Sequence, residues 1–369
     1  MTITDLDVSI TSRGSQFSIT DLVEDIVITE SLFGDLTGKL EITDGLGMLD
    51  MGIDDNTLLS ISFRYRSTKV AQVFYVDGVN NVDVSTSSVY KKYSIKLRST
   101  NEVNNSTELL SRSFEGLSTD IVKSIHEDFF NNSLVVLDKS ITKGKYISPN
   151  ISPKTAISTI LSRAYNKDIS PFFIFQRLAS PSTFLTSLSH IEKQSYQYTI
   201  GDRVTRSGEI QPNKLIGVPS HMIIHSSDDN LIQKISSGMY GRSVKSVDLS
   251  SSSHSTATTG AFANANSAIS VKRLDLYGSE NEPLFKDDDT NLCSMQSTMN
   301  ALFNTSITAY GCEAIPSVGV GNKIKVDVSQ NKYNKSGYSS RYSGAYLVSR
   351  ITHKITDLDY TQNIDLIRG

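Results

Sequence analysis

Period-two alternation of apolar and polar residues dominates this chain. Leu59, Ile61, Phe63 and Tyr65 alternate with Ser60, Ser62, Arg64 and Arg66. Tyr93, Ile95 and Leu97 alternate with Lys92, Ser94, Lys96 and Arg98. Each run reads as a strand with one face buried and one wet. Leu36, Leu40 and Ile42 share a face in a third strand over 35–45, with turns at both ends. Between the other two, residues 73–84 carry Asp77-Gly78 and Asn80-Asn81, which predict a hairpin turn. The end of the chain has the same pattern. Over 343–355, Ala345, Leu347, Ile351 and Ile355 are expected on one face, with Tyr346, Arg350, Thr352 and Lys354 mostly on the other. Asp357-Leu358-Asp359 turns the chain, and Gln362, Ile364 and Leu366 begin a return strand. The expected partners of this hairpin lie at 321–328 and 230–240.

The period changes at about Thr107. Ile121, Val122, Ile125 and Phe129 follow helical spacing over 118–130, with Ser118 as a cap. Ser152-Pro153 precedes Ile157, Ile160, Leu161 and Ala164. Ser180-Pro181 precedes Phe184, Leu185, Leu188 and Ile191. Serine followed by proline suits a helix start, because proline has no N–H to leave unpaired there. Residues 171–175, Pro-Phe-Phe-Ile-Phe, predict a short buried strand. Leu292, Met295, Met299, Leu302 and Phe303 predict a helix near 290–304, and strands follow around 307–310 and 324–328. The Ser/Thr/Gly/Ala-rich stretch near 250–270 and the polar stretch 329–342 predict surface loops, the first of them mobile. The expected fold class is α+β, mainly β. One antiparallel barrel occupies 1–105 and a mixed α+β domain 106–190 plus 245–305. A second barrel occupies 191–244 plus 306–369.

Length and composition agree with this picture. A chain of 369 residues holds two or three domains of ordinary size. No run approaches the ~18 apolar residues of a membrane span, and the N-terminus lacks a signal-peptide pattern. Two cysteines, Cys293 and Cys312, cannot build a disulfide framework and suggest a reducing compartment. A net charge of −3 gives the whole molecule no polycation footprint for nucleic acid.

Candidate chemistry is sparse. His221 and His225 form His-x-x-x-His without the glutamate of a metalloprotease and without a nearby third ligand. Asp287-Asp288-Asp289-Thr290-Asn291 resembles the start of a calcium loop, but Leu292 stands where glycine is needed and Thr298 where glutamate is needed. There is no phosphate-binding glycine loop and no Gly-x-Ser-x-Gly elbow. No catalytic residue, metal ligand or cofactor is assigned. Arg64, Arg66, Lys92, Lys96, Arg98, Lys323, Lys325, Arg350 and Lys354 fall on polar strand faces from both ends of the chain. Two readings are open for them. They form an ordinary solvated sheet face, or they line a water-filled passage in an assembly, where charge keeps the wall wet.

Several stretches in order resemble the baseplate hub protein of contractile-tailed phages of the T-even type and, more distantly, the hub domains of type VI secretion spike proteins. They are 33–44, from Phe33-Gly34-Asp35-Leu36 to Thr43-Asp44; 152–164, 171–175 and 184–188; 238–248, from Gly238-Met239-Tyr240-Gly241; 319–326, from Gly319-Val320-Gly321-Asn322; and 343–353. Relatives usually carry Asp at the position of Asn322. The resemblance implies two similar tube-like barrels per chain, interrupted by an inserted domain. It implies a homotrimer whose pseudo-sixfold ring joins a threefold central spike to a sixfold tail tube. It also implies a channel for DNA and tape-measure protein, surrounding wedge proteins, and no enzymatic role. Assembly in the host bacterial cytoplasm and residence in the virion tail baseplate follow, without membrane insertion by this chain. The chain stops directly after the last hairpin, so no long extension toward the spike is expected. Two rival readings remain: another tail or secretion part, and a β-rich hydrolase of cell-wall or glycan polymers.

Overall fold

The computed structural model describes residues 2–48, 53, 57–84, 90–196, 198–201, 215–217, 219–226, 242–248, 253–259, 268–273, 289–303, 305–328 and 341–368. The expected partner strand at 230–240 and the stretch 329–340 lie outside them, as do Asp287, Asp288 and the side chain of Cys293. Strands β1 (Thr4–Ser12), β2 (Ser15–Ser18), β3 (Val23–Ser31), β4 (Gly34–Asp44), β5 (Leu58–Tyr65), β6 (Thr68–Val84) and β7 (Lys91–Ser99) pair antiparallel in the order β3-β4-β7-β6-β5-β1-β2. Helix α1 (Thr100–Thr107) follows. The inward positions Val8, Ile10, Ile28, Leu40, Ile61, Phe63, Ile95 and Leu97 make one core. Residues 73–84 do not form a hairpin. They belong to the single strand β6, and the turn-type dipeptides are taken up as register shifts at Val76/Gly78 and Asn80/Asp83. Gly78 (φ 153°) and Asn81 (φ 55°) supply the positive φ such bulges need. The reversal instead falls at Arg66, also with positive φ, where β5 turns into β6.

The middle region holds β8 (Ser113–Leu117), α2 (Ser118–Phe129), β9 (Leu134–Val136), β10 (Lys143–Ile147), α3 (Pro153–Leu161), β11 (Phe172–Gln176), β12 (Thr183–Ser187) and α4 (Leu188–Lys193). Val122, Ile125, Ile157, Ile160, Phe172 and Leu185 form its own core. The helix expected to start at Ser180-Pro181 is absent. Phe184 and Leu185 are in β12, paired with Phe175 and Ile174. The helix starts only at Leu188, where Ser187 Oγ accepts a hydrogen bond from His190 N (3.1 Å).

The remaining elements are β13 (Tyr198–Gly201), β14 (Leu215–Gly217), β15 (His221–Ser226), β16 (Arg242–Asp248), β17 (Ser253–Thr259), β18 (Ala268–Arg273), α5 (Asp289–Ala301), β19 (Thr305–Glu313), β20 (Lys323–Asp327), β21 (Gly344–Thr356) and β22 (Asp359–Arg368). Part of the stretch read as a mobile loop is therefore strand: β16 pairs with β17 and β18 in a separate sheet. A third core gathers Ile200, Ile307, Ile324, Val326, Tyr346, Val348, Ile364 and Leu366. Two of its pairings, β13 with β14 and with β20, are parallel.

Strand β21 joins the first and third cores. Along one edge Gly344–Leu347 pairs with β20 and Arg350–Thr356 pairs with β3, while the other edge pairs with β22. One fourteen-stranded sheet thus runs through two separate cores. The β21–β22 turn has positive φ at Asp357 and Leu358, as a two-residue hairpin loop of the type I′ kind requires. Its tip reaches the first strands, where Ile3 N donates to Leu358 O (2.9 Å), and Ile355 and Tyr360 complete the first core. The fold is α+β and mainly β.

Candidate functional site

Cross-strand register decides which side chains share a surface. In β21, Tyr346 and Val348 are buried, a bulge follows between Val348 and Arg350, and Ile351, His353 and Ile355 are buried after it. Tyr346 therefore faces the core, contrary to its expected side, because one extra residue flips the phase of a strand. Ala345, Arg350, Thr352 and Lys354 face the other way. Lys354 stands opposite Val27, Val27 opposite Lys39, and Lys39 opposite Lys96. Thr352, Thr29, Thr37 and Arg98 form the next row. In the other direction Ala345 stands opposite Lys325, and Leu347 opposite Lys323. Lys92, Lys96, Arg98, Lys323, Lys325, Arg350 and Lys354 thus fall on one face of one sheet, joined by Lys39, which the sequence reading passed over. Arg64 keeps the same face by register, through Arg98 opposite Tyr75 and Tyr75 opposite Leu58, but it lies two strands over and six residues along β5; Arg66, in the β5–β6 turn, does not join this face.

The face is banded rather than uniformly cationic. Asp25 and Glu41, opposite one another, make an acidic row beside the lysine row. Lys39 reaches Glu41 at 2.7 Å and Lys354 reaches Asp25 at 3.9 Å. Lys92 meets Glu24 at 2.8 Å, and its hydrogen bond, with one from Thr43, holds the Glu24 carboxyl below the usual range. Arg98 meets Asp77 and Glu102, and Lys325 meets Asp327 at 2.9 Å. Lys323 donates to the Glu192 carbonyl. Further along the sheet Arg64 pairs with Asp5, and in the turn Arg66 pairs with Glu313. Solvent-exposed pairs of this kind contribute about 0–1 kcal/mol each, so they leave a hydrated, nearly neutral surface rather than a clamp.

The reverse side of the same strands carries a buried polar junction that the sequence reading missed. Glu30 of β3 is buried, and its Oε1 accepts from Leu178 N (2.5 Å) and its Oε2 from Val320 N (3.1 Å). His353 Nε2 lies 3.2 Å from Glu30 Oε1, off hydrogen-bond alignment. His353 Nδ1 is 2.7 Å from the Tyr360 hydroxyl, and Gln362 Oε1 accepts from Ile315 N (3.0 Å). Arg177 Nε donates to Val320 O (2.9 Å). Burial pushes the Arg177 pKa down, with Glu30 opposing the shift, and burial followed by Glu30 pushes the Tyr360 phenol up. One carboxylate therefore ties a strand of the first core to backbone from the middle region and from the turn before β20. The signal was present: Glu30 follows Ile26 and Ile28 on an apolar face, and His353 sits between Ile351 and Ile355 on another.

The other candidates stand apart. His221 and His225 are exposed on β15, and His221 stacks on Tyr310 (centroids 4.5 Å apart). Burial raises the Cys312 thiol to about 12, which keeps it protonated. Among the described residues no three His, Cys, Asp or Glu side chains gather to hold a metal, and no helix is long and apolar enough to cross a membrane.

No family model matches this chain, and no curated protein matches it by sequence. Solved structures do. A tail protein from Neisseria meningitidis superposes with a TM-score of 0.61 at 11% identity, covering 99% of this chain and 97% of that one. The 43 kDa tail protein of prophage MuSo2 from Shewanella oneidensis gives 0.62 at 11% identity, covering 99% and 98%. An Escherichia coli type VI secretion component, described as structurally similar to bacteriophage T4 tail proteins, gives 0.52 at 9% identity, covering 98% of this chain and 76% of that one. The chain has the fold of solved phage tail proteins and of type VI secretion proteins that resemble them.

Proposed function

We propose that this chain is a structural, non-enzymatic subunit at the centre of a contractile-tail baseplate or a related secretion apparatus. In this reading it forms a homotrimer that carries two β-rich modules per chain and so offers six modules to a sixfold tube while seating a threefold spike. The modules are those assigned above to 1–105 and to 191–244 plus 306–369, with the mixed domain between them. The observation that carries the reading is the pair of separate cores strung on one continuous sheet, in a chain that spans nearly the whole of two tail proteins. Wedge proteins would surround the ring, and DNA and tape-measure protein would pass through it. The banded face of β20, β21, β3, β4 and β7 is assigned to the channel wall, where hydration and near-neutrality would limit adhesion of a passing polyanion.

Native mass spectrometry of the full chain, alone and mixed with the spike protein, tests the assembly. Trimers are expected, and a stable monomer in both conditions would end the proposal. Charge reversal of Lys96 and Lys354 tests the wall. Particles that assemble normally but deliver DNA poorly are expected, and unchanged delivery would move these residues to an outer surface.

A further inference from the structure

A cavity of about 300 Å³ opens where the middle and third cores meet. Its walls are Phe33 from the β3–β4 turn, Phe130, Leu161, Phe172, Phe173 and Met299. Phe33 is 52% exposed at the mouth and packs edge-on against Phe173 (5.7 Å), beside Phe303 (5.8 Å), which is 49% exposed. A partly exposed aromatic rim around an apolar hollow between domains is a common ligand-site geometry, and this volume is at the small end of such sites.

The polar groups in the wall say more. His126 on α2 is 1% exposed, and neither ring nitrogen has a hydrogen-bond partner. Asn101 on α1 is 3% exposed. Its amide nitrogen donates to Asn132 Oδ1 (3.0 Å), but its Oδ1 has no partner. Asp35 and Lys154, also in the lining, form an ion pair with each other. A buried polar group left unpaired costs about 1–3 kcal/mol, and native structures keep few of them. Here they are one side-chain oxygen that only accepts and one imidazole that donates from one nitrogen and accepts at the other. The matching group is a hydroxyl, which also does both. The aromatic and aliphatic wall asks for a flat apolar body, and the Asp35–Lys154 pair leaves no uncompensated charge for an ionic ligand.

We propose that this cavity binds a small neutral aromatic molecule bearing one hydroxyl, a phenol-class ligand, with its ring among Phe130, Phe172 and Phe173 and its hydroxyl toward His126 and Asn101. This goes beyond the structural role proposed above and does not depend on it. The probes are p-cresol and toluene, which differ by the hydroxyl, titrated into the full chain by ligand-observed NMR at neutral pH. p-Cresol is expected to bind at least about tenfold more tightly than toluene, the worth of one satisfied buried partner. His126→Phe is expected to abolish that preference. Ser158→Phe, at an exposed position in the lining, keeps the buried wall intact and is expected to block both probes. Equal affinity for the two probes, no binding of either, or p-cresol binding unchanged in Ser158→Phe would overturn the proposal.

Discussion

The two faces of β21 use the same chemistry to opposite ends. Outward, Lys354 faces Asp25 across 3.9 Å in water. Inward, one residue away, His353 faces Glu30 with both side chains out of solvent. The outer pair is cheap to lose, because water takes either partner. The inner carboxylate is not, because the buried backbone N–H groups it binds have no water to turn to. The lesson is that the charged residues most visible in the sequence contribute little to the fold, while a single carboxylate on an apolar face holds three segments together.

Four measurements press on that difference, each read by urea unfolding. Glu30→Ala should cost about 2–5 kcal/mol, since it leaves the buried Leu178 and Val320 N–H groups unpaired. Were Glu30→Ala to cost under 1 kcal/mol, the inner and outer faces would be equivalent. The second concerns pH and His126, a buried imidazole with no partner. Burial lowers its pKa from 6.5 to about 4. The unfolded chain therefore binds the proton first, and stability contributed by the neutral ring is present above pH 6.5 and lost as pH falls toward 4. The loss should be about 2–3 kcal/mol and should shrink in His126→Phe. Third, Gly321 has φ +75°, and an added Cβ would stand 2.4 Å from Phe175 Cζ. Gly321→Ala should cost about 1–3 kcal/mol by strain next to the Val320 N–H that binds Glu30. Last, Lys354→Ala should change stability by less than about 1 kcal/mol, and high salt should erase the effect.

Much of the architecture was legible in the alternation. The strands through Leu59–Tyr65, Tyr93–Leu97 and Ile351–Ile355 lie where period two places them, because each has one face in a core. Where local signals failed, pairing overrode them. Asp77-Gly78 and Asn80-Asn81 are good turn dipeptides, yet β7 runs alongside and converts them into bulges. Ser180-Pro181 is a good helix start, yet β11 captures Phe184 and Leu185. The flip at Tyr346 was invisible because a bulge is fixed by the partners on both edges, and the strand's own residues do not announce it. Of the nine basic residues read as one surface, eight share a face by register and Arg66, in a turn, does not. Their carboxylate partners, Asp25, Glu24 and Asp77 among them, come from segments whose placement no single stretch of sequence states. Glu30 and His353 were readable in principle as polar residues on apolar faces, but only the sheet order brings residues more than three hundred positions apart into contact.

The double membership of β21 has a mechanical consequence. No hinge line divides the two halves of the sheet, because the boundary runs along the middle of a strand rather than through a linker. A force that drags one half past the other along this strand loads many ladder hydrogen bonds in parallel, so they must fail together instead of peeling one by one. Pulled in that direction, the pair should rupture once, at high load, as a single body.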